Sequence, residues 1–424
     1  MYPLSAVAEY LLDRRVGIVQ VAGELNRNAG APNFFHYFAT ASDTSAFAGQ
    51  ANFARAGGAS ASRDVGLAKA IGEAVERYCA AIYDPADLPL STYRARTFAA
   101  ADPAEFALYS EAQYDSAGFP FVPFGEDTPV RWTPATDVTD GAECYVPAAM
   151  VFIPYSYAPH ENERAIVQPI STGLACHTSP QRAAISAICE VIERDAFTIT
   201  WQARLSPPRI DPRSLPADAM ALLDRFARSG RTVTLFHIGL DIAVPTVLAV
   251  EHNDKPGLVG LGVAASTSLS PHVAVVKSLE ELTHTSYYMD QVVALGEPPA
   301  TDYDDIKTQE DHLRFWAERE HLALAEFLFS STETVAFSDL PDRSSREPSC
   351  DVRTLAGMLA QAGHRTLIAD VTTPDVGGLG LSVVRAVVPG LNPLFMGFRY
   401  RALGGRRLAR HRVRAAADLP HPYP

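Results

Sequence analysis

Strand-like and helix-like segments alternate along the whole chain, and that alternation predicts an α/β fold. Two further observations sharpen the prediction. No low-complexity linker of ten or more residues divides the 424 residues, although a prior of about 150 residues per domain would allow two or three domains. A helical motif also recurs at a fixed offset, which points to repeated strand–helix layers inside one domain spanning residues 1–424.

Taken in order, residues 16–54 hold β-type runs such as Val16-Gly17-Ile18-Val19-Gln20-Val21. A helix is expected from about Asp64 to Ala81. Residues 85–145 are rich in Pro, Asp and aromatics and read as loops and short strands, and Val146–Ile153 reads as a buried strand. A second strong helix is expected from Pro180 to Trp201. Next come a helix near 217–229, a strand over Thr232–Ile238, strands at 244–251 and 258–264, and a helix from Pro271 to about Val293. A charged helix over 308–326, a helix at 353–362 and strands near 366–371 and 381–388 complete the pattern.

Composition excludes several function classes. Hydrophobic residues are 47% and charged residues 20%, as in globular chains, so wholesale disorder is ruled out. The net charge of −13 argues against nucleic acid or an anionic membrane as partner. Five widely spaced cysteines (Cys79, Cys144, Cys176, Cys189, Cys350) form no CxxC pair, so no zinc spacing exists and reduced thiols in a cytoplasm are expected. No basic start followed by a long apolar run marks a signal peptide. The longest uncharged stretch, between Lys255 and Lys277, contains Pro271, His272 and several Ser and Thr; a strand and a helix start fit it better than a membrane span.

The repeat carries the chemistry. Ala70-Ile71-Gly72-Glu73-Ala74-Val75-Glu76-Arg77 aligns with Ala187-Ile188-Cys189-Glu190-Val191-Ile192-Glu193-Arg194 at an offset of 117 residues. A fainter copy, Ser278-Leu279-Glu280-Glu281-Leu282-Thr283-His284, sets Glu281 against Glu190 and His284 against the second glutamate. Ser179-Pro180 and Ser270-Pro271 each read as an N-cap followed by proline at the first helical position. A Gly/Ala/Ser-rich lead-in precedes every copy.

Helical spacing puts Lys69, Glu73, Glu76 and Arg77 on one face, away from Ile71 and Val75. It groups Glu190, Glu193 and Arg194 likewise, opposite Ile188 and Ile192. A lone E-x-x-E-R run is usually a solvated salt-bridge face. Two runs in one register on Ala/Ile-rich helices point instead to buried carboxylates, which need partners. If the two faces meet, four carboxylates converge, and such oxygen ligands suit Mg²⁺ bridging to a nucleotide phosphate. The arginines would hold phosphate oxygens or orient the glutamates.

At these residues the chain resembles the YcaO superfamily, ATP-dependent enzymes that activate peptide backbone amides. The resemblance rests on Gly58-Ala59-Ser60 through Cys79, on Ser171-Thr172-Gly173-Leu174-Ala175 through Ala196, on Arg385-Ala386-Val387-Val388-Pro389-Gly390-Leu391, and on the ending Pro420-His421-Pro422-Tyr423-Pro424. It implies a non-P-loop ATP site with ATP and Mg²⁺ as cofactors. Glu73, Glu76, Glu190 and Glu193 are then the metal ligands. Ser60, Lys69, Glu73, Arg77, Ser171, Glu190 and Arg194 are the nucleotide-side residues. Many relatives read Gly-Lys-Gly where this chain has Gly58-Ala59-Ser60, so Lys69 or Arg63 would have to replace the missing lysine. The ending is similar to that of the azoline-forming cyclodehydratases of ribosomal peptide natural products. That implies a basic, proline-ending tail over 395–424 reaching the active site, with the Pro424 carboxylate and Arg385 as catalytic groups. The chain looks like the separate D-protein type. The implied partners are a precursor peptide, an E1-like leader-binding protein, a second copy of the chain, and a flavin dehydrogenase in the same pathway.

The residues also offer other readings. Gly260-Leu261-Gly262-Val263-Ala264-Ala265, with Glu280 twenty residues on, matches a relaxed dinucleotide fingerprint, but no helix is expected directly after the glycines. Within the family, backbone thioamide formation and a non-catalytic peptide-binding scaffold are the alternatives. Seven arginines between Arg399 and Arg414 read either as a solvated helix face or as a surface for an acidic partner. His177 and His284 read as core or supporting histidines, and Cys79 and Cys189 as core residues.

Overall fold

The computed structural model describes residues 5–28, 30–106, 108–255, 258–412 and 418–423. Three strands, β1 (Val19–Leu25), β2 (Phe35–Ala41) and β3 (Arg55–Ser60), form an antiparallel sheet, and α1 (Arg63–Cys79) follows directly and packs back on it. The second unit is β4 (Leu174–His177) and α2 (Pro180–Gln202). After α3 (Ala217–Arg228) come β5 (Val233–His237), β6 (Thr246–His252) and β7 (Leu261–Thr267), and the third unit closes with α4 (Pro271–Ala294). Two further strands, β8 (Leu367–Asp370) and β9 (Ser382–Val387), place β4 at the edge of a four-stranded sheet in which Arg385 on β9 lies opposite Leu174. The α/β expectation therefore holds, as does the layered repeat.

Neighbouring strands in these sheets pair antiparallel; among the strands of the described residues a parallel pair joins Thr334–Val335 to Arg209–Ile210. Each Gly/Ala/Ser-rich lead-in is a strand or leads into one, and small residues let the helices approach closely. A Cβ on Gly58 would fall 2.6 Å from Lys69 Cβ and 2.7 Å from the Ala70 backbone nitrogen. Ala68, Ala70, Ile71, Ala74 and Val75 on α1, and Ala184, Ala187 and Ile188 on α2, are buried as the apolar spacing requires.

Several local expectations are corrected. Only Val146–Pro147 of the stretch 146–153 is strand; a 3-10 turn over Ala148–Met150 takes over, followed by the cis bond before Pro154. The charged helix expected over 308–326 is an α-helix only over Gln309–Ala317. It breaks at Glu318, whose ψ of 125° is extended, and continues as 3-10 turns over Arg319–Phe329. Ser179 and Ser270 do precede helices with proline at the first turn, but neither hydroxyl caps the helix. Gly260–Ala265 opens a buried strand, and the next helix begins only at Pro271, so the dinucleotide fingerprint has no structural basis. Among the described residues no helix is long and apolar enough to cross a membrane.

The basic stretch is not a free-standing surface. Arg407 is buried and makes paired bonds to Asp195 (Nη2 to Oδ2, 2.8 Å) and Asp241 (Nη2 to Oδ1, 2.6 Å). Arg401 and Arg412 both pair with Asp418. Arg414 lies outside the described residues. Asp195 also accepts from the Asn392 backbone and side-chain nitrogens at 2.8 and 3.0 Å. This network ties residues 392–407 to α2 one residue beyond Arg194. Arg407→Leu would leave Asp195 buried beside an apolar side chain. A loss of about 3–5 kcal/mol in unfolding free energy is expected, measured by urea titration.

Candidate functional site

The three strand–helix units grip one another in a ring through glutamates. Glu76 on α1 accepts from the Cys176 backbone N–H on β4 at 2.7 Å. Glu193 on α2 accepts from the Thr267 N–H at the end of β7 at 3.1 Å. Glu280 on α4 closes the ring on the first unit, accepting from Ser60 Oγ at 2.5 Å and the Ala61 N–H at 3.0 Å. Each carboxylate thus satisfies a strand-end N–H of the next unit. Glu73 accepts instead from its own unit, the Gly57 N–H at 2.9 Å and Arg77 Nη2 at 3.2 Å.

Charge is concentrated where the helices meet. Burial pushes Glu76 well up, with the charges of Glu73 and Glu190 adding to it. Burial raises Glu193 to about 7, opposed by Arg194 and by the Tyr423 hydroxyl. Glu190 is raised by burial against the pull of Arg194, Arg385, Arg77 and Lys277. Arg194 lies 3.7 Å from Glu190 and 3.6 Å from Glu193, and its guanidinium stacks on the Tyr423 ring at 4.1 Å. Arg385 is 4% exposed, and burial lowers it to about 10. Its Nη2 donates to the Ile170 carbonyl at 2.7 Å, while Nε and Nη1 are buried with no partner.

The expected site residues are brought together unequally. Glu73, Glu76, Glu190, Glu193, Arg77, Arg194 and Arg385 form one charged neighbourhood. Among the described residues, however, no three acidic, histidine or cysteine side chains lie close enough to hold a metal ion by themselves; three of the four glutamates are drawn to backbone donors instead. Ser60 ends β3 rather than lying in a turn, and its hydroxyl is committed to Glu280. Lys69 binds Glu280 at 3.0 Å and Glu281 at 2.8 Å. Burial would raise Glu281, but Lys69 outweighs it and holds the carboxyl near 2. Arg63 pairs with Glu24 at the exposed surface, away from the cluster. Ser171 sits in the turn before β4, next to the Ile170 carbonyl that Arg385 holds. Pro424 lies outside the described residues.

Three groups at the site escape a reading confined to the glutamate pairs. Glu280 closes the ring, and it stands at the position of Gly72 and Cys189 in the repeat register. Lys277 occupies the register position of Lys69, and its charge bears on Glu190, Glu193 and Glu281. Tyr423 donates to Glu193 Oε1 at 2.6 Å and accepts from the Ala265 N–H at 3.3 Å. The signal for Lys277 and Glu280 was the third copy of the repeat; for Tyr423 it was the proline-rich ending.

The donor set fits a nucleotide with Mg²⁺. Unpartnered guanidinium nitrogens on Arg385 call for an anion, and mutually repelling buried carboxylates call for a cation. Mg²⁺ characteristically takes one or two carboxylates and completes its shell with phosphate and water oxygens, so separated glutamates suit it better than a closed protein cage.

His36 on β2, behind this cluster, is 2% exposed and stacks on Tyr287 at 4.7 Å with Nδ1 unpartnered. Burial, with a contribution from His284, lowers it to about 4. Between pH 6.5 and 4 the unfolded chain binds a proton that the folded chain refuses, so stability falls as pH falls through that window. The loss is on the order of 3 kcal/mol at most. Thermal midpoints from pH 7 to 4 should drop less steeply in His36→Phe than in the wild type.

A family model described as YcaO cyclodehydratase, ATP- and Mg²⁺-binding, matches residues 57–392. An uncharacterized protein of Methanothermobacter thermautotrophicus is 29% identical over 267 residues, 62% of this chain and 65% of its own length. Among solved structures, a heterocyclase in complex with substrate and cofactor superposes with a TM-score of 0.75 at 22% identity, over 94% of this chain and 53% of its own. A YcaO protein from Methanopyrus kandleri, bound with AMPPCP and Mg²⁺, gives 0.66 at 20% identity, over 99% and 94%. The chain thus spans less than two thirds of the curated relative and about half of the heterocyclase.

Proposed function

This chain belongs to the YcaO family of ATP- and Mg²⁺-binding cyclodehydratases, and from that premise we propose that it converts Cys, Ser or Thr residues of a ribosomal precursor peptide to thiazolines or oxazolines at the expense of ATP. The observation that carries this reading is the pairing of an Arg385 guanidinium holding two buried, unpartnered nitrogens with Glu190, whose charge acts on it and on the neighbouring Glu76 and Glu193. Anion-seeking and cation-seeking groups stand together there, as phosphoryl transfer requires.

In the reaction, the substrate's thiol or hydroxyl attacks the preceding carbonyl carbon and gives up its proton. The carbonyl oxygen takes the γ-phosphoryl group of ATP, and expulsion of phosphate with loss of the amide proton leaves the C=N bond, ADP and phosphate. Magnesium supplies charge neutralisation on the phosphates. Arg194 and Arg77 orient phosphate oxygens, and Arg385 holds the substrate oxygen that becomes an oxyanion and receives the phosphoryl group. Glu73, Glu76, Glu190 and Glu193 offer the metal oxygens, one or two at a time, with Lys277 rather than Lys69 as the ammonium left for the nucleotide. Tyr423 holds Glu193 in place, and the Pro424 carboxylate, next in the chain, serves as proton acceptor. Ser171 lies on the same rim, while Ser60 and Lys69 keep Glu280 and Glu281 in register.

In this reading residues 1–424 work as one YcaO domain, with 395–424 anchoring the proline-rich segment. An E1-like leader-binding protein, a second copy of the chain and a flavin dehydrogenase are the proposed partners. A cytoplasmic location agrees with five unpaired cysteines. The test is phosphate release and peptide mass with a Cys/Ser/Thr-rich precursor, ATP, Mg²⁺ and the leader-binding partner. Loss of one water mass per ring, matched by phosphate, is expected. Oxygen-to-sulfur exchange, or nucleotide binding with no change in the peptide, would overturn it.

A further inference from the structure

Arg385 also forms part of the wall of a cavity of about 110 Å³. Its walls are otherwise largely apolar, with Phe106, Met150, Val167, Val191, Leu394 and Phe395 among them. Three of its polar lining residues carry buried polar atoms with no partner: Arg385 Nε and Nη1, Asn392 Oδ1 and Gln168 Oε1. The Asn392 amide is oriented by its own bond, Nδ2 donating to Asp195 at 3.0 Å, so its carbonyl oxygen is the free end. Buried polar groups in a fold are normally satisfied, and three exceptions around one cavity mark a place where something else supplies the partners.

The polarity of those atoms specifies the partner. A guanidinium donates to an oxygen, and two amide oxygens accept from N–H groups, so the complement is a peptide group flanked by an apolar side chain. Val191 follows Glu190 directly in the chain, and Arg385 acts electrostatically on Glu190, so an amide oxygen held by Arg385 lies beside the carboxylate cluster.

We propose that this cavity seats the substrate residue preceding the ring-forming Cys, Ser or Thr: its apolar side chain fills the cavity, and its backbone amide meets Arg385, Asn392 and Gln168. This rests on the cyclodehydratase reading and deepens it, because the carbonyl of that preceding residue is the one activated. The chain would then select for an aliphatic or aromatic residue before each ring and reject a charged one, because the amide oxygen takes up Arg385 and the remaining walls are largely apolar.

The test has a binding arm and a turnover arm. Saturation-transfer NMR on the wild-type protein compares N-acetyl-leucinamide with N-acetyl-aspartamide. Leucinamide binding at least about tenfold tighter is expected, lost in Val167→Trp, which fills the cavity, while ATP binding measured by calorimetry stays within about twofold. In turnover, a precursor with Leu before a single Cys should show at least about tenfold higher kcat/KM than one with Asp there. Equal binding of the two amides by the wild type overturns the proposal, whatever the variant does. Weakened ATP binding with unchanged amide binding in Val167→Trp also overturns it and gives the cavity to the adenine base. Should Val167→Trp not fold, Asn392→Leu is read instead, with a loss of amide binding expected. Selective amide binding with no cyclised product from any peptide upholds the cavity and defeats the cyclodehydratase reading.

Discussion

Glu193→Gln should lower ATP-dependent phosphate release by on the order of 10²-fold or more while leaving the protein folded. The side chain is buried and accepts two hydrogen bonds, from the Thr267 N–H and the Tyr423 hydroxyl. Glutamine keeps the shape and one acceptor oxygen, so the ring of strand–helix contacts survives. What it removes is a negative charge that the fold holds at a cost, since burial raises the carboxyl to about 7 even with the Arg194 guanidinium 3.6 Å away. A charge kept in so unfavourable a place has no structural purpose that a neutral amide could not serve, and neutralising phosphate charge through a metal is worth several kcal/mol, at about 1.4 kcal/mol per tenfold in rate. Two measurements separate the roles. Thermal melting should show no loss of midpoint, because the desolvation cost is relieved. The Mg²⁺ concentration for half-maximal phosphate release should rise. Wild-type rates in Glu193→Gln, or a collapse of the melting midpoint with an unchanged Mg²⁺ requirement, would remove Glu193 from the metal site. Glu76→Gln is the companion measurement, since burial and the charges of Glu73 and Glu190 likewise push Glu76 up.

The part of this site legible in the sequence was the part with helical period. Glu73, Glu76, Glu190 and Glu193 stood out because two helices repeat one pattern, and the structure puts both helices in the same positions relative to their strands. What periodicity could not reveal is how the units are joined. Glu76 grips β4, Glu193 grips β7 and Glu280 grips β3, contacts spanning 74 to 220 residues of sequence. Lys69 illustrates the same limit. It shares a face with Glu73 and Glu76 on its own helix, but α4 brings Glu280 and Glu281 against it, and those two carboxylates capture the ammonium. Part of the arginine run is not surface for a related reason: charge count says nothing about burial, and Asp195 and Asp241, which bind the buried Arg407, come from elements more than 160 residues away, while Arg406 and Arg410 stay exposed. The strand expected over Val146–Ile153 failed more simply, because an apolar run of that length is equally compatible with buried 3-10 turns.

Removing residues from Asp418 onward should cost on the order of 5 kcal/mol in stability and abolish turnover, a larger effect than any single change in the segment. Its described part is anchored at almost every residue. The Pro420 carbonyl accepts from both Trp201 Nε1 (2.9 Å) and Trp316 Nε1 (3.0 Å), and the His421 carbonyl meets His312 Nδ1 at 2.9 Å. His421 Nε2 donates to the Phe395 carbonyl at 2.6 Å, leaving Nδ1 to accept from the Tyr423 N–H at 3.2 Å. Loss of the segment leaves two buried indole donors unpaired, at about 1–3 kcal/mol each, and uncovers the Leu419 and Tyr423 sites, at about 1.5–3 kcal/mol for a large side chain. Because the two indoles sit on the segment itself, tryptophan emission should shift to the red on truncation, with Trp132 in a separate cluster as the unaffected background. Tyr423→Phe dissects the catalytic share from the structural one. It keeps the ring that stacks under Arg194 and the backbone anchors of residues 420–423, and loses the hydroxyl with its bonds to Glu193 and the Ala265 N–H. Emission and melting should therefore stay near wild type while kcat/KM falls about tenfold and the Mg²⁺ requirement rises. If Tyr423→Phe is silent while removal of Pro424 alone abolishes turnover, the segment acts through Pro424 rather than through the Tyr423 hydroxyl. If Tyr423→Phe reproduces the Mg²⁺ shift of Glu193→Gln and a double variant adds nothing further, the hydroxyl and the carboxylate act as one unit, which is the outcome that a 2.6 Å bond between two buried groups leads us to expect.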